Sequence, residues 1–79
     1  MKAKIYVTLR SGVLDPQGKA VSQALQNLGF AGVEDVRIGK YIELELADNT
    51  PDIAQQTVKE MCEALLANTV MEEYRIELA

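Results

Sequence analysis

The chain of 79 residues contains no histidine, and its only cysteine is Cys62. A histidine-based acid/base pair, a Cys–His nucleophile and a Cys/His zinc site are therefore all excluded. One unpaired cysteine supplies no intramolecular disulfide framework, which fits a reducing compartment. Long apolar runs are missing too, the longest being a few residues where a membrane span needs about eighteen. The N-terminal Met1-Lys2-Ala3-Lys4 alternates with charge instead of forming a signal-peptide apolar stretch. A cytoplasmic chain with no membrane contact is expected. Positive charge is in short supply: twelve acidic residues against eight basic ones leave a formal charge of −4. That balance repels a phosphate backbone, so nucleic acid is not an expected partner.

What is present is apolar: 48% of the residues, enough for one small core. A chain this short makes a single domain, residues 1–79, burying roughly 60–65% of the surface its unfolded form exposes. Its stability alone is marginal, and a deep catalytic cleft would compete for the same few side chains. Size and composition together favour an accessory subunit over an enzyme.

The pattern along the chain is α+β. From Lys2 to Arg10 the apolar Ala3, Ile5, Val7 and Leu9 alternate with Lys2, Lys4, Tyr6, Thr8 and Arg10, the signature of a half-buried strand. Asp15-Pro16 supplies an N-cap and a proline at the first helical position. A helix then runs from about Pro16 to Leu28 on the stripe Ala20, Val21, Ala24, Leu25 and Leu28, with Gly29 placed to end it. Thr50-Pro51 repeats the start signal for a second helix carrying Ala54, Val58, Met61, Cys62 and Leu65 and ending near Asn68. Tyr74, Ile76 and Leu78 alternate with Glu73, Arg75 and Glu77 as a last strand.

Between the helices Val36, Ile38, Ile42, Leu44 and Leu46 share one parity, which continues across Gly39-Lys40. A two-residue hairpin loop there would pair Ile38 with Tyr41 and mix core with solvent on one face. Two alternatives remain: an odd-length hairpin loop, or a single strand bent at Gly39. Either gives a ferredoxin-like antiparallel sheet with two helices on one face and a long, bent central strand or hairpin. A single strand from Val36 to Leu46 would span roughly 36 Å and overhang a compact domain whose radius of gyration is about 12 Å. Unpaired backbone on such an overhang invites a second copy, so a homodimer or dimer of dimers is expected.

Candidate chemical sites each meet a plainer explanation. Cys62 lies on the apolar stripe beside Met61, with Glu60 and Glu63 as neighbours, and reads as core rather than as a reactive thiolate. Asp48, Asp52, Glu72 and Glu73 fall in no recognised metal-ligand loop and read as charged surface. Gly12, Gly18, Gly29 and Gly32 match neither the dinucleotide fingerprint nor the Walker pattern and read as turns and caps. No catalytic, cofactor or metal residue is assigned. The loop after the first strand is more elaborate than a helix start requires. Capping accounts for Asp15 and Pro16 but not for Val13 and Leu14 in a loop, or for Gln17 and Gly18 within the first helical turn. A contact surface for another chain, comprising Arg10, Gly12, Val13, Leu14, Asp15, Gln17, Arg37 and Lys40, is the competing account.

The string Gly12-Val13-Leu14-Asp15-Pro16-Gln17-Gly18 closely resembles the PurS family, as do Val36-Arg37-Ile38-Gly39-Lys40, Met61-Cys62, Leu65-Leu66-Ala67-Asn68 and Glu72-Glu73-Tyr74. The resemblance spans nearly the whole chain. It implies a small, dimeric, non-catalytic subunit of phosphoribosylformylglycinamidine synthase in de novo purine biosynthesis. The implied reaction converts formylglycinamide ribonucleotide, glutamine and ATP to formylglycinamidine ribonucleotide, glutamate, ADP and phosphate. The implied partners are PurL, which carries the ATP, magnesium and ribonucleotide chemistry, and PurQ, which releases ammonia from glutamine. No cofactor is implied for this chain itself. Thr69 departs from the family's pattern, where proline commonly follows the asparagine, which bears on the rigidity of that turn.

Two rival functions belong to the same architecture. One is a dimeric, ferredoxin-like regulatory module binding a small molecule at its dimer interface, which specific thermal stabilisation by a free ligand would reveal. The other is an acylphosphatase-like enzyme with an anion loop at Arg10-Ser11-Gly12-Val13, where Asp15 would repel the anion at the helix start.

Overall fold

A three-stranded antiparallel sheet organises the computed structural model, which describes residues 1–47 and 50–78. Strand β1 (Lys2–Leu9) is central, with β2 (Gly39–Glu45) on one side and β3 (Glu72–Leu78) on the other. Helix α1 (Pro16–Asn27) follows β1, and α2 (Pro51–Met61) follows β2 and continues into a π-helical turn, Cys62–Leu66. The α+β class and the antiparallel sheet are those expected from the sequence. Asp48, one of the acidic positions considered as a metal ligand, lies outside the described residues.

The alternation in β1 does what its period requires. Ala3, Ile5 and Val7 are fully buried, and Ile5 stands opposite Ile42 of β2 and Ile76 of β3, making one apolar row across the sheet. Val58 of α2 and Cys62 of the π-helical turn close over that face, with Ala67 and the half-buried Ile42, Leu44, Tyr74 and Ile76 around them. Each fully buried Ile or Val contributes about 1.5–3 kcal/mol relative to exposure. Leu46 and Met1 extend the β1–β2 ladder by one further pair, Leu46 N–H to the Met1 carbonyl at 2.7 Å and the Met1 ammonium to the Leu46 carbonyl at 2.9 Å.

The turn containing Thr69 is fastened without a proline. The Asn68 carbonyl accepts from Met71 N–H at 3.0 Å and Glu72 N–H at 2.7 Å, the Glu72 carboxylate accepts from Asn68 N–H at 2.7 Å, and Arg10 Nε donates to the Thr69 carbonyl at 3.0 Å. Just before it, Ala67 N–H reaches back five residues to the Cys62 carbonyl at 3.0 Å, which ends the helix.

Two features depart from expectation. The element between the helices, expected as a central strand or hairpin, is neither: one strand begins at Gly39 at an edge of the sheet, and Val36–Ile38 lies outside it. The reason is a competing set of partners at the start of α1, described below. The second departure is the position of α1. Both helices were expected over one face of the sheet, but the core is closed by α2 and its π-helical extension, and α1 buries only Gly18. Its apolar side stays open to solvent: Val21 is 39% exposed, Leu28 75% and Phe30, just past the helix, 57%. Helix α1 and the segment returning from it to β2 thus form an arm. The arm gives the chain a radius of gyration of 15.9 Å, against about 12 Å for a compact domain of this length.

Candidate functional site

The residues singled out at the end of the first strand meet where the arm leaves the sheet. Arg10 anchors the exit: its N–H donates to the Met71 carbonyl at 2.8 Å and its guanidinium holds the Thr69 turn. The chain then reverses, with Val13 N–H donating to the Arg10 carbonyl at 3.1 Å. Gly12 sits in that turn at φ +87°, a left-handed conformation that explains glycine there.

Asp15 does more than cap. One carboxylate oxygen accepts from Gly18 N–H at 2.8 Å, the expected first-turn bond. The other accepts from Ile38 N–H at 2.9 Å, across 23 residues of chain. These two bonds, with the nearby Arg37 charge, hold the Asp15 carboxyl below its ordinary pKa, the Ile38 bond contributing most. Gly18 lets the two segments touch, because a Cβ there would stand 2.1 Å from the Val36 carbonyl oxygen. Gly39 repeats the arrangement at the start of β2, where a Cβ would stand 2.2 Å from the Val7 carbonyl oxygen. Val36–Ile38 is consequently committed to α1, and sheet pairing starts only at Gly39.

An open cleft of about 460 Å³ lies in this notch, bordered by the Arg10–Asp15 turn, by Lys19 and Ser22 of α1, and by residues 34–37 of the return segment. A smaller groove of about 320 Å³ adjoins it through Asp15 and carries Gln17 and Lys40. All eight residues named from the sequence therefore converge: Arg10, Gly12, Val13, Leu14, Asp15 and Arg37 on the cleft, Gln17 and Lys40 on the groove. Leu14 is 73% exposed, an apolar side chain standing at the rim. Lys40 Nζ lies 3.8 Å from Glu72 and 3.5 Å from the Leu66 carbonyl, tying the groove to the end of the π-helical turn.

Chemically the cleft offers charged and polar contacts and no activated nucleophile. Its acidic and basic groups are mixed, with Arg10, Lys19 and Arg37 facing Asp15, Glu34 and Asp35, and its serines have no histidine to activate them. Among the described residues no three metal-ligating side chains cluster. Cys62 is fully buried, and burial, then the charge of Glu63, pushes its thiol up in pKa, away from reactivity.

Sequence reasoning missed a second cluster, on the sheet face away from α2. Cross-strand register sets Tyr6 opposite both Tyr41 and Arg75. The tyrosine rings stand 5.1 Å apart, and the Arg75 guanidinium lies 4.2 Å from the Tyr6 ring centre. The Tyr41 hydroxyl donates to Glu43 at 2.8 Å, the Tyr6 hydroxyl donates to Glu77 at 3.1 Å, and Arg75 pairs with the same Glu77. The parity of these residues was legible; their register was not.

Over residues 2–79 the chain matches the family model PurS, described as phosphoribosylformylglycinamidine (FGAM) synthase. It is 54% identical over 77 residues to phosphoribosylformylglycinamidine synthase subunit PurS of Bacillus subtilis, covering 98% of this chain and 90% of that one. The corresponding Synechocystis subunit is 56% identical over 75 residues, covering 95% of this chain and 75% of that one. Among solved structures, the backbone matches one in the structure of PurLQS from Thermotoga maritima with a TM-score of 0.88 at 38% identity, covering 96% of this chain and 93% of that one. It matches the PurS of Methanocaldococcus jannaschii, one of the subunits of formylglycinamide ribonucleotide amidotransferase, with a TM-score of 0.87 at 37% identity, covering 96% and 92%.

Proposed function

The chain belongs to the PurS family, and from that premise we propose that it is the small, non-catalytic subunit of phosphoribosylformylglycinamidine synthase in de novo purine biosynthesis. It assembles the glutaminase PurQ and the synthase PurL, so that ammonia released from glutamine is used to convert formylglycinamide ribonucleotide to formylglycinamidine ribonucleotide with ATP. The observation that carries this reading is the end-to-end likeness to a chain of the PurLQS structure. ATP and magnesium belong to the large subunit in this reading, and the complex works in the cytoplasm, where purine precursors are made. The chain has no histidine base, and its one thiol is buried, so it offers no activated Cys–His nucleophile for releasing ammonia from glutamine.

The cleft and groove at the base of the arm, with Arg10, Gly12, Val13, Leu14, Asp15, Gln17, Arg37 and Lys40, are the docking surface for these partners. The open side of the arm serves self-association, as a homodimer or a dimer of dimers. Its support is quantitative: the chain exposes 5630 Å², whereas a compact monomer of this mass exposes about 4,700 Å². The surplus of roughly 900 Å² equals one partner's share of a standard protein interface. Titrating the chain into PurL and PurQ tests the function. Glutamine-dependent synthesis rises on addition while the isolated chain turns over nothing; a rate indifferent to the chain refutes the assembling role.

A further inference from the structure

We propose that Asp15 is a positioning residue for assembly, whose two carboxylate oxygens pin the return segment to the start of α1 and so aim the arm that bears the docking cleft. The inference rests on the assembling role above. A helix start needs one acceptor for its first-turn N–H groups, and Asp15 gives Gly18 one. Its second oxygen takes the backbone of Ile38, immediately before the strand that joins the sheet. This one carboxylate thus ties the return segment, at the residue before β2, to the first turn of α1. The glycines on either side make the joint tight rather than loose. Gly18 admits the Val36 carbonyl to the helix surface, and Gly39 admits the Val7 carbonyl to the first residue of β2, each too near for any Cβ. Three successive contacts therefore fix the return segment: Val36 on Gly18, Ile38 on Asp15, Gly39 on Val7.

The consequence is geometric. The cleft has one wall on the strand exit, one on α1 and one on the return segment. Its shape exists only while those walls keep their angle, and the angle depends on the pin because α1 has almost no core contact of its own. This also accounts for the part of the Gly12–Gly18 string that capping leaves unexplained: aspartate is required over other capping residues because it has two oxygens, and glycine stands at position 18 because a carbonyl crosses there.

Serine separates the pin from the cap. Asp15→Ser keeps a good N-cap but offers one hydroxyl oxygen, set nearer the backbone, and cannot serve both N–H groups. In Asp15→Ser the helical circular dichroism should match the parent, while the Ile38 amide exchanges with solvent about tenfold faster. The concentration needed for half-maximal glutamine-dependent synthesis with PurL and PurQ should rise about tenfold, the loss of one charge-assisted hydrogen bond. Asp15→Asn, nearly isosteric but with one acceptor oxygen, is the second variant and should behave alike should Asp15→Ser lose its helix. Parent-like half-saturation by a folded variant overturns the inference, as does an Ile38 amide that stays protected. Failure of the parent chain itself to stimulate synthesis would instead strike the assembling role, and the pin is then decided by the Ile38 exchange rate.

Discussion

The sheet with α2 and the arm built on α1 carry the same kind of sequence signal and meet opposite fates. In the first, apolar residues at strand and helix spacing close on one another until Ile5, Val7, Val58 and Cys62 see no solvent. In the second, Val21 and Leu28 are as apolar and as regularly placed, yet remain open, as does Phe30 just beyond the helix. Periodicity states that a face wants burial; it does not state in which molecule. The arm is where this chain's own core ends and its need for other chains begins, as an assembling subunit requires.

The largest test of that contrast removes one residue from each region. Ile5→Ala in the buried row should cost about 3 kcal/mol, read as a fall in the urea midpoint. Leu28→Ala in the arm should leave the midpoint of the dilute chain within about 0.5 kcal/mol but weaken self-association in analytical ultracentrifugation. Equal destabilisation of the dilute chain by both would mean that the arm is part of the core after all.

Next in size is Gly18→Ala. In an ordinary helix interior the change stabilises by about 1 kcal/mol. Here the new methyl meets the Val36 carbonyl, and overpacking of this kind costs about 1–3 kcal/mol. The net effect should be a lower melting temperature with the arm displaced, and a higher melting temperature would show that the crossing is loose.

Much of this was legible in advance. The strand from Lys2, the two proline-initiated helices and the Gly29 stop follow from local chemistry. The stop forms in full, with Gly29 N–H donating to Gln26 at 3.0 Å and Phe30 N–H to Leu25 at 3.0 Å. The residues proposed for docking come together in space because they lie near two chain reversals. What was not legible depended on contacts between distant segments. Val36–Ile38 has the parity of a strand, but Asp15, some twenty residues away, takes its backbone first. That α1 stays out of the core was not legible, because its stripe was assumed to be served by this chain's sheet. The tyrosine cluster needed register, which alternation alone leaves free.

A smaller effect is expected from pH. The Asp15 carboxyl is held below its usual value of 3.8 by hydrogen bonds to its charged form. Its contribution is therefore complete above that value and is lost as pH falls through the lower, folded value. Glu43 and Glu77 are lowered as well, by their hydrogen bonds to Tyr41 and Arg75, and lose their contributions in a neighbouring acid range. Comparing parent and Asp15→Ser isolates the pin. In the parent, Ile38 amide protection should decline below pH 3.8, while Asp15→Ser, already unpinned, should show no such step.

The smallest effect belongs to the outer sheet face, which is exposed like the arm but supplies its own partners. Tyr41, half-open to solvent, donates to Glu43, and Glu43 also receives Lys2 at 3.4 Å. The hydrogen bond to Glu43, then burial and the nearby carboxylates, raises the Tyr41 hydroxyl from 10.0 to about 12. A group raised on folding lends its stability fully below the unfolded value and loses it as pH rises through the folded one, here between 10.0 and about 12. At neutral pH an exposed hydrogen bond of this kind is largely replaced by water, so Tyr41→Phe should leave the urea midpoint unchanged within error. It should also leave self-association and half-saturation with PurL and PurQ unchanged, because the face already satisfies itself. Tyrosinate absorbance gives an independent reading: titrating the parent should show a phenol ionising near pH 12, and Tyr41→Phe should remove that step. Loss of assembly in Tyr41→Phe would transfer to this face the docking role now given to the arm, since exposure would then mark partner contact in both regions alike.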